Sequence, residues 1–185
     1  MNSIDILQKE WAFTTNESPK SIIRTGSFGP CYITSFTTGK CAAMAHIDDC
    51  TQVETMMQIV KKFDQHEVCR KDIKAIVIGG WQDHPESYRW GMKVVDFLKE
   101  QQFENLSTKN MFKKKIVTFP IQDFGQATNH YYFGAQVDAK GGRTSVVSQF
   151  NPDFQVLDDR QMQANEAYAK KYGTSAPELP LKEVL

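Results

Sequence analysis

Hydrophobic and polar positions along the chain separate into strand-like and helix-like stretches. CYITSFT, from Cys31 to Thr37, is dense in β-branched and aromatic residues and reads as a strand. Thr38-Gly39 then offers a two-residue turn, with glycine supplying the positive φ that a tight hairpin needs. KCAAMAHI, from Lys40 to Ile47, returns as the second strand; its alanines would suit a helix, but it is too short for one between a turn and a helix cap. Thr51-x-x-Glu54 has the capping-box form, and Val53, Met56, Met57, Val60 and Phe63 follow as one apolar stripe at helical spacing. IKAIVIGG, from Ile73 to Gly80, reads as a buried strand stopped by a glycine pair. Asp83 and Glu86 around Pro85 open a helix through about Gln101. Further strands are expected over Lys115 to Phe119, Tyr131 to Val137 and Thr144 to Phe150, the last two joined by the hairpin loop DAKGGR. A helix from about Asp159 to Tyr172 is polar on most faces and is expected on the outside. The stretch from about Gly173, with two prolines, reads as loop or loosely docked tail.

Hairpins beside alternating strands and helices predict an α/β (α+β) fold with mixed or antiparallel sheets, not a doubly wound parallel one. A chain of 185 residues without a repeat or low-complexity linker predicts one domain, 1–185. Lys plus Arg equals Asp plus Glu at 22 each, so no basic excess favours nucleic acid or an anionic membrane surface. No stretch approaches the ~20 apolar residues of a membrane span, and MNSIDILQKEW lacks the basic-then-apolar pattern of a secretory signal. These features predict a cytoplasmic protein, with delivery into another cell left open. Gly79-Gly80 is no dinucleotide fingerprint, because G-x-G-x-x-G is absent.

The candidate chemistry lies in the hairpin. The cysteines are Cys31, Cys41, Cys50 and Cys69, with no C-x-x-C pair, so free thiols are expected and no metal site. The one mixed ligand set with conceivable spacing is Cys50, His46, His66 and Cys69. With Thr38 and Gly39 as the loop, Thr37 faces Lys40 and Cys31 faces His46. Opposed Cβ atoms lie about 4.5–5.5 Å apart on one face, so the imidazole reaches the thiol; Cys41 points to the other face. A nearby imidazole removes a thiol's proton and makes it a nucleophile at neutral pH. Cys31 follows the loop GSFGP, whose backbone N–H groups suit an oxyanion hole; Pro30 cannot donate, which leaves Cys31 itself with Gly29 or Phe28. The alternative is a buried cysteine packed beside a core histidine. Asp48 and Asp49 either cap the next helix or receive the amino terminus of a peptide. His130 after Asn129 reads as a strand-end histidine, His84 beside Pro85 as a solvated one, and Trp81 and Trp90 as core.

RTGSFGPCYITSF followed by KCAAMAHIDD resembles the cysteine deamidases of the CheD type, which deamidate chemoreceptor glutamines. HIDDCTQVETMMQIVKKF, AIVIGGWQD and NHYYFGAQVDAKGGRTSVVSQF are more similar to a relative of that group, eukaryotic protein N-terminal asparagine amidohydrolase. The resemblance runs in order from about Thr25 to Gln161. It implies four layers, with two mixed sheets packed between helices. It also implies Cys31 as nucleophile, His46 as general base and Thr25 as the group orienting the imidazole, with no cofactor and a protein or peptide substrate bearing Asn or Gln. Two departures stand out: Pro30 where the receptor deamidases have Ser, and a shorter gap from Cys31 to His46. Two other functions remain open at this level, a transglutaminase-like transfer from the same thioester and a non-catalytic binding module on the same fold.

Overall fold

Two sheets and the helices on their outer faces follow from where the chain places its apolar residues. The computed structural model describes residues 3–80, 85–109 and 132–185. In chain order its strands are β1 (Ser3–Ile6), β2 (Glu10–Thr15), β3 (Ile22–Thr25), β4 (Tyr32–Thr37), β5 (Cys41–Ile47) and β6 (Thr51–Gln52). A 3-10 turn, Val53–Met56, runs into α1 (Met57–Gln65), followed by β7 (Lys74–Gly79), α2 (Pro85–Glu100) and β8 (Leu106–Lys109). Then come β9 (Gly134–Asp138), β10 (Arg143–Val147), α3 (Pro152–Tyr172), β11 (Leu179–Pro180) and β12 (Lys182–Glu183). The larger sheet has the order β12-β2-β5-β4-β7-β8 and the smaller β1-β3-β9-β10, each with parallel and antiparallel pairs; β11 pairs with β6 apart from both.

Side-chain alternation divides the apolar residues into two cores. One face of the larger sheet, with Trp11, Tyr32, Phe36, Ala43 and Ala45, packs on Val60 and Phe63 of α1 and Val94 and Leu98 of α2. The other face, with Ala12, Cys31, Ile33, Ala42 and Met44, packs on Ile6, Ile23, Ala135 and Val137 of the smaller sheet. On the outside of the smaller sheet, Arg24 sits under the Phe154 ring of α3, its centroid 5.4 Å away. The order is therefore helices, six-stranded sheet, four-stranded sheet, helix, the α+β arrangement expected.

Several local expectations change. The hairpin loop is longer than two residues: Thr38 N–H bonds Cys41 O at 3.0 Å, and Thr37 faces Ala42 rather than Lys40. Thr51 does not cap a helix. Its hydroxyl donates to Asp48 Oδ1 at 2.8 Å and accepts from Asp48 N–H at 3.1 Å, and the 3-10 turn begins with no side-chain cap. Helix α3 starts seven residues earlier than its apolar pattern suggests, because Asn151 caps it through Asp153 N–H and Pro152 takes the first helical position. The stretch after Gly173 is docked: Lys182–Glu183 extends the larger sheet beside β2, and Leu181 is buried. The expected strand over Lys115 to Phe119, and Trp81, Asp83, His84, Asn129, His130 and Tyr131, lie outside the described residues.

The glycine pair ending β7 shows what a stop signal is for. Gly79 has φ +108°, and a Cβ there would stand 2.4 Å from the Cys31 carbonyl oxygen. Gly39 has φ +81° in open space. Gly39→Ala therefore carries backbone strain alone, about 1 kcal/mol, whereas Gly79→Ala adds a backbone clash and should cost roughly 2–4 kcal/mol. Urea midpoints of the two variants check the ranking; equal losses would mean that the Cys31 carbonyl yields freely.

Candidate active site

Cys31 stands at the mouth of β4, directly after a loop that is fastened residue by residue. Ser27 N–H and Oγ both donate to the Asp158 carboxylate of α3 at 2.6 Å, and Gly26 lies against the same helix, where a Cβ would meet Asp158 Oδ1 at 2.6 Å. Phe28 exchanges two backbone hydrogen bonds with Tyr132, at 3.0 and 2.9 Å, and stacks on its ring. The Gly29 and Cys31 carbonyls share the Gly80 N–H, and the Pro30 carbonyl accepts from Ser87 Oγ of α2 at 2.7 Å. The Phe28 N–H, expected among the oxyanion donors, is thus spent within the fold. The Cys31 N–H points at its own sulfur.

The longer hairpin changes how Cys31 meets His46. His46 faces Ile33, two residues along β4 from Cys31, so thiol and imidazole are diagonal neighbours instead of a facing pair. The slip is even, and an even slip preserves the face: Cys31 and His46 share the inter-sheet side, and Cys41 lies on the other. No hydrogen bond joins His46 to the thiol. Instead Gln8 Nε2, from the turn between β1 and β2, lies 3.7 Å from Cys31 Sγ.

Thr25, at the end of β3, reaches across the core with its Oγ1 2.7 Å from His46 Nδ1. Both residues are buried, and Phe28 presents its ring edge to the imidazole at 6.2 Å. With Nδ1–H donating to Thr25, Nε2 is the basic nitrogen, and it has no hydrogen-bond partner among the described residues. An orphaned polar atom at this depth costs about 1–3 kcal/mol. Trp11 Nε1 and Thr34 Oγ1 are also without partners among the described residues, but neither atom is a base.

Burial sets the protonation states. It pushes the Cys31 thiol well up, with the charges of Asp48 and Asp49 adding and Lys9 opposing. It pushes His46 down to about 4, against the pull of Asp48. The resting pair is thus a neutral thiol and a neutral imidazole, not a thiolate-imidazolium pair.

Asp48 is committed within the fold: it accepts from Lys9 Nζ, from Cys50 N–H at 3.1 Å and from Thr51 Oγ1 at 2.8 Å. Asp49 is exposed and makes no hydrogen bond or ion pair with another described residue. An opening of about 80 Å³ is lined by Pro30, Cys31, Tyr32, Asp48, Asp49, Ser87 and Trp90. A water needs about 10–15 Å³ on this scale, so the opening takes a group of several heavy atoms. Trp90, read as core, is buried and also forms part of this wall. The mixed Cys/His ligand set does not assemble. His66 stacks on Phe13, Cys69 is exposed, and no group of three His, Cys, Asp or Glu among the described residues is placed to hold a metal ion. No helix among the described residues is long and apolar enough to cross a membrane.

Because His46 protonates near pH 4 when folded and near its ordinary 6.5 when unfolded, the unfolded chain binds the extra proton between those values. Stability linked to this residue is therefore full above pH 6.5 and is lost as pH falls through about 4, a loss of about 3 kcal/mol. The difference in urea stability between wild type and His46→Gln, measured from pH 7.5 to 4, should shrink by that amount; a pH-independent difference would place His46 in a solvated setting. Alkylation of Cys31 by iodoacetamide should climb steadily from pH 6 to 9, because the raised thiol holds little thiolate at neutral pH.

No protein-family model matches the chain, and no curated protein matches its sequence.

Proposed function

We propose that the protein is a cysteine amidohydrolase that deamidates an Asn or Gln carboxamide in a protein or peptide through a thioester. The observation that carries this reading is the buried His46, held at Nδ1 by Thr25 and left without a partner at Nε2 among the described residues, on the sheet face it shares with Cys31. A histidine that only filled space would not need an orienting hydroxyl and an idle basic nitrogen together. In the reaction a rotation of the Cys31 side chain brings Sγ to Nε2, which takes the thiol proton as sulfur attacks the amide carbon. The resting neutral pair suits this concerted transfer, since no preformed thiolate is required. Collapse of the tetrahedral adduct breaks the C–N bond, and ammonia leaves with the proton from His46. Water activated by the same imidazole then hydrolyses the thioester to the carboxylate. The opening lined by Cys31 has the size for a small end group as the reacting part. With Asp48 tied to Lys9, the carboxylate left to meet a substrate ammonium is Asp49.

Peptides bearing N-terminal and internal Asn and Gln should reveal the preferred substrate by ammonia release and a mass gain of ~1 Da, the amide-to-acid change expected from a thioester route. Cys31→Ala, Cys31→Ser and His46→Gln should abolish turnover. Ala replacements of Cys41, Cys50 and Cys69 should change stability by no more than ~1–3 kcal/mol and keep activity in what folds. Wild-type turnover by Cys31→Ala, or its loss in a normally folded Cys50→Ala, would remove Cys31 from the role of nucleophile.

A further inference from the structure

Acyl chemistry at Cys31 needs donors for the negative charge that develops on the substrate oxygen, and the loop leading to the cysteine is poorly supplied with them. Pro30 has no N–H, and the Phe28 N–H is bonded to Tyr132. Among the described residues, the backbone donor that acts on the sulfur is the Cys31 N–H. Among the described residues, the side-chain donor at the sulfur comes from elsewhere in the fold, Gln8 Nε2 at 3.7 Å from Sγ.

The turn that carries Gln8 is held firmly in place. Glu10 N–H bonds Leu7 O at 3.1 Å, while Leu7 N–H bonds the Glu10 carboxylate at 2.8 Å. Lys9 N–H bonds the carbonyl of His46 itself at 2.8 Å, and Lys9 Nζ pairs with Asp48. The Gln8 N–H bonds Gln161 Oε1 of α3 at 2.6 Å. Lys9 sits at φ +65°, a left-handed conformation that a non-glycine residue keeps only where its surroundings impose it. The anchors thus act on the backbone of the turn and on Lys9, and the Gln8 side chain is left to face the thiol.

We propose that Gln8 is a catalytic residue, the side-chain donor of the oxyanion site. As Sγ attacks, the S–C bond forms and the carbonyl π pair moves onto oxygen; a donor 3.7 Å from sulfur stands about 3 Å from that oxygen. When the adduct collapses, the pair returns to re-form C=O and the leaving group departs. Gln161 is the positioning residue that holds the turn. The role rests on Cys31 acting as an acyl-accepting nucleophile, as in the proposed function, but not on the substrate being a carboxamide.

Two reactions of Cys31 separate this role from simple packing. Alkylation by iodoacetamide passes through no oxyanion, whereas acylation by p-nitrophenyl acetate does. Both are followed by nitrophenolate release or mass spectrometry of the Cys31 peptide, in wild type, Gln8→Ala and the isosteric Gln8→Glu. Gln8→Ala should slow acylation roughly a hundredfold while leaving alkylation within about threefold. Gln8→Glu, which aims a negative charge at the oxyanion, should lower the ratio of acylation to alkylation at least as far. An unchanged ratio in both variants overturns the proposal, as does a wild-type Cys31 that p-nitrophenyl acetate does not acylate. If acylation depends on Gln8 while no peptide amide releases ammonia, the oxyanion assignment stands and the carboxamide reading falls.

Discussion

Two side-chain hydrogen bonds cross the largely apolar seam between the sheets among the described residues, Ser35 to Thr144 and Thr25 to His46, and the site is arranged around the second. Thr25 belongs to the smaller sheet and His46 to the larger, so their bond fixes how the two lie against each other as well as how the imidazole points. Ile23, Ile33, Met44 and Val137 belong to the apolar core on this side of the larger sheet, and among the described residues the ring has no second hydrogen-bond partner. A buried imidazole with one satisfied nitrogen is stable there only when neutral, which is why burial lowers its basicity so far. The same lack of solvent keeps the thiol protonated. Both groups are thereby kept in the forms from which a proton can pass from sulfur to nitrogen.

Helix α3 has a stripe of only two buried residues, Phe154 and Leu157, yet it bonds to much of what surrounds the thiol. Asp158 holds the loop before Cys31, Gln161 holds the turn bearing Gln8, and Tyr168 lies under Lys9, whose ammonium sits 4.4 Å from its ring centroid. Most of the helix is solvent-exposed, as its polarity implies, and a few of its polar side chains fasten neighbouring segments.

The contrast explains what could be read from the residues in advance. The β4–β5 hairpin, the apolar stripe of α1 and the glycine stop after β7 are local patterns, and local patterns survive translation into structure. The shared face of Cys31 and His46 survived even though the turn was longer than Thr38-Gly39 implied, because an even slip leaves side chains on their side of the sheet. Gln8 and Asp158 had no such pattern. Their partners lie 153 and 131 residues away in sequence, across elements whose packing no spacing rule describes. The turn Leu7–Glu10 lacks Gly, Pro or Asn, so nothing in its composition marked it. The start of α3 was the exception: Asn151-Pro152-Asp153 is a legible helix opening, obscured by the weakness of the apolar stripe behind it.

The ties from α3 back to Ser27 and Gln8 also bear on the order in which the protein is made. A chain leaves the ribosome with its N-terminal part first, and domains fold as units once enough of them has emerged. Cys31, His46 and Thr25 are exposed to the cell long before Asp158 and Gln161 are translated. Until those two arrive, the loop before the thiol and the turn beside it lack their anchors. The loop before the thiol and the turn beside it therefore gain these anchors only after α3 has been made, more than a hundred residues behind the cysteine.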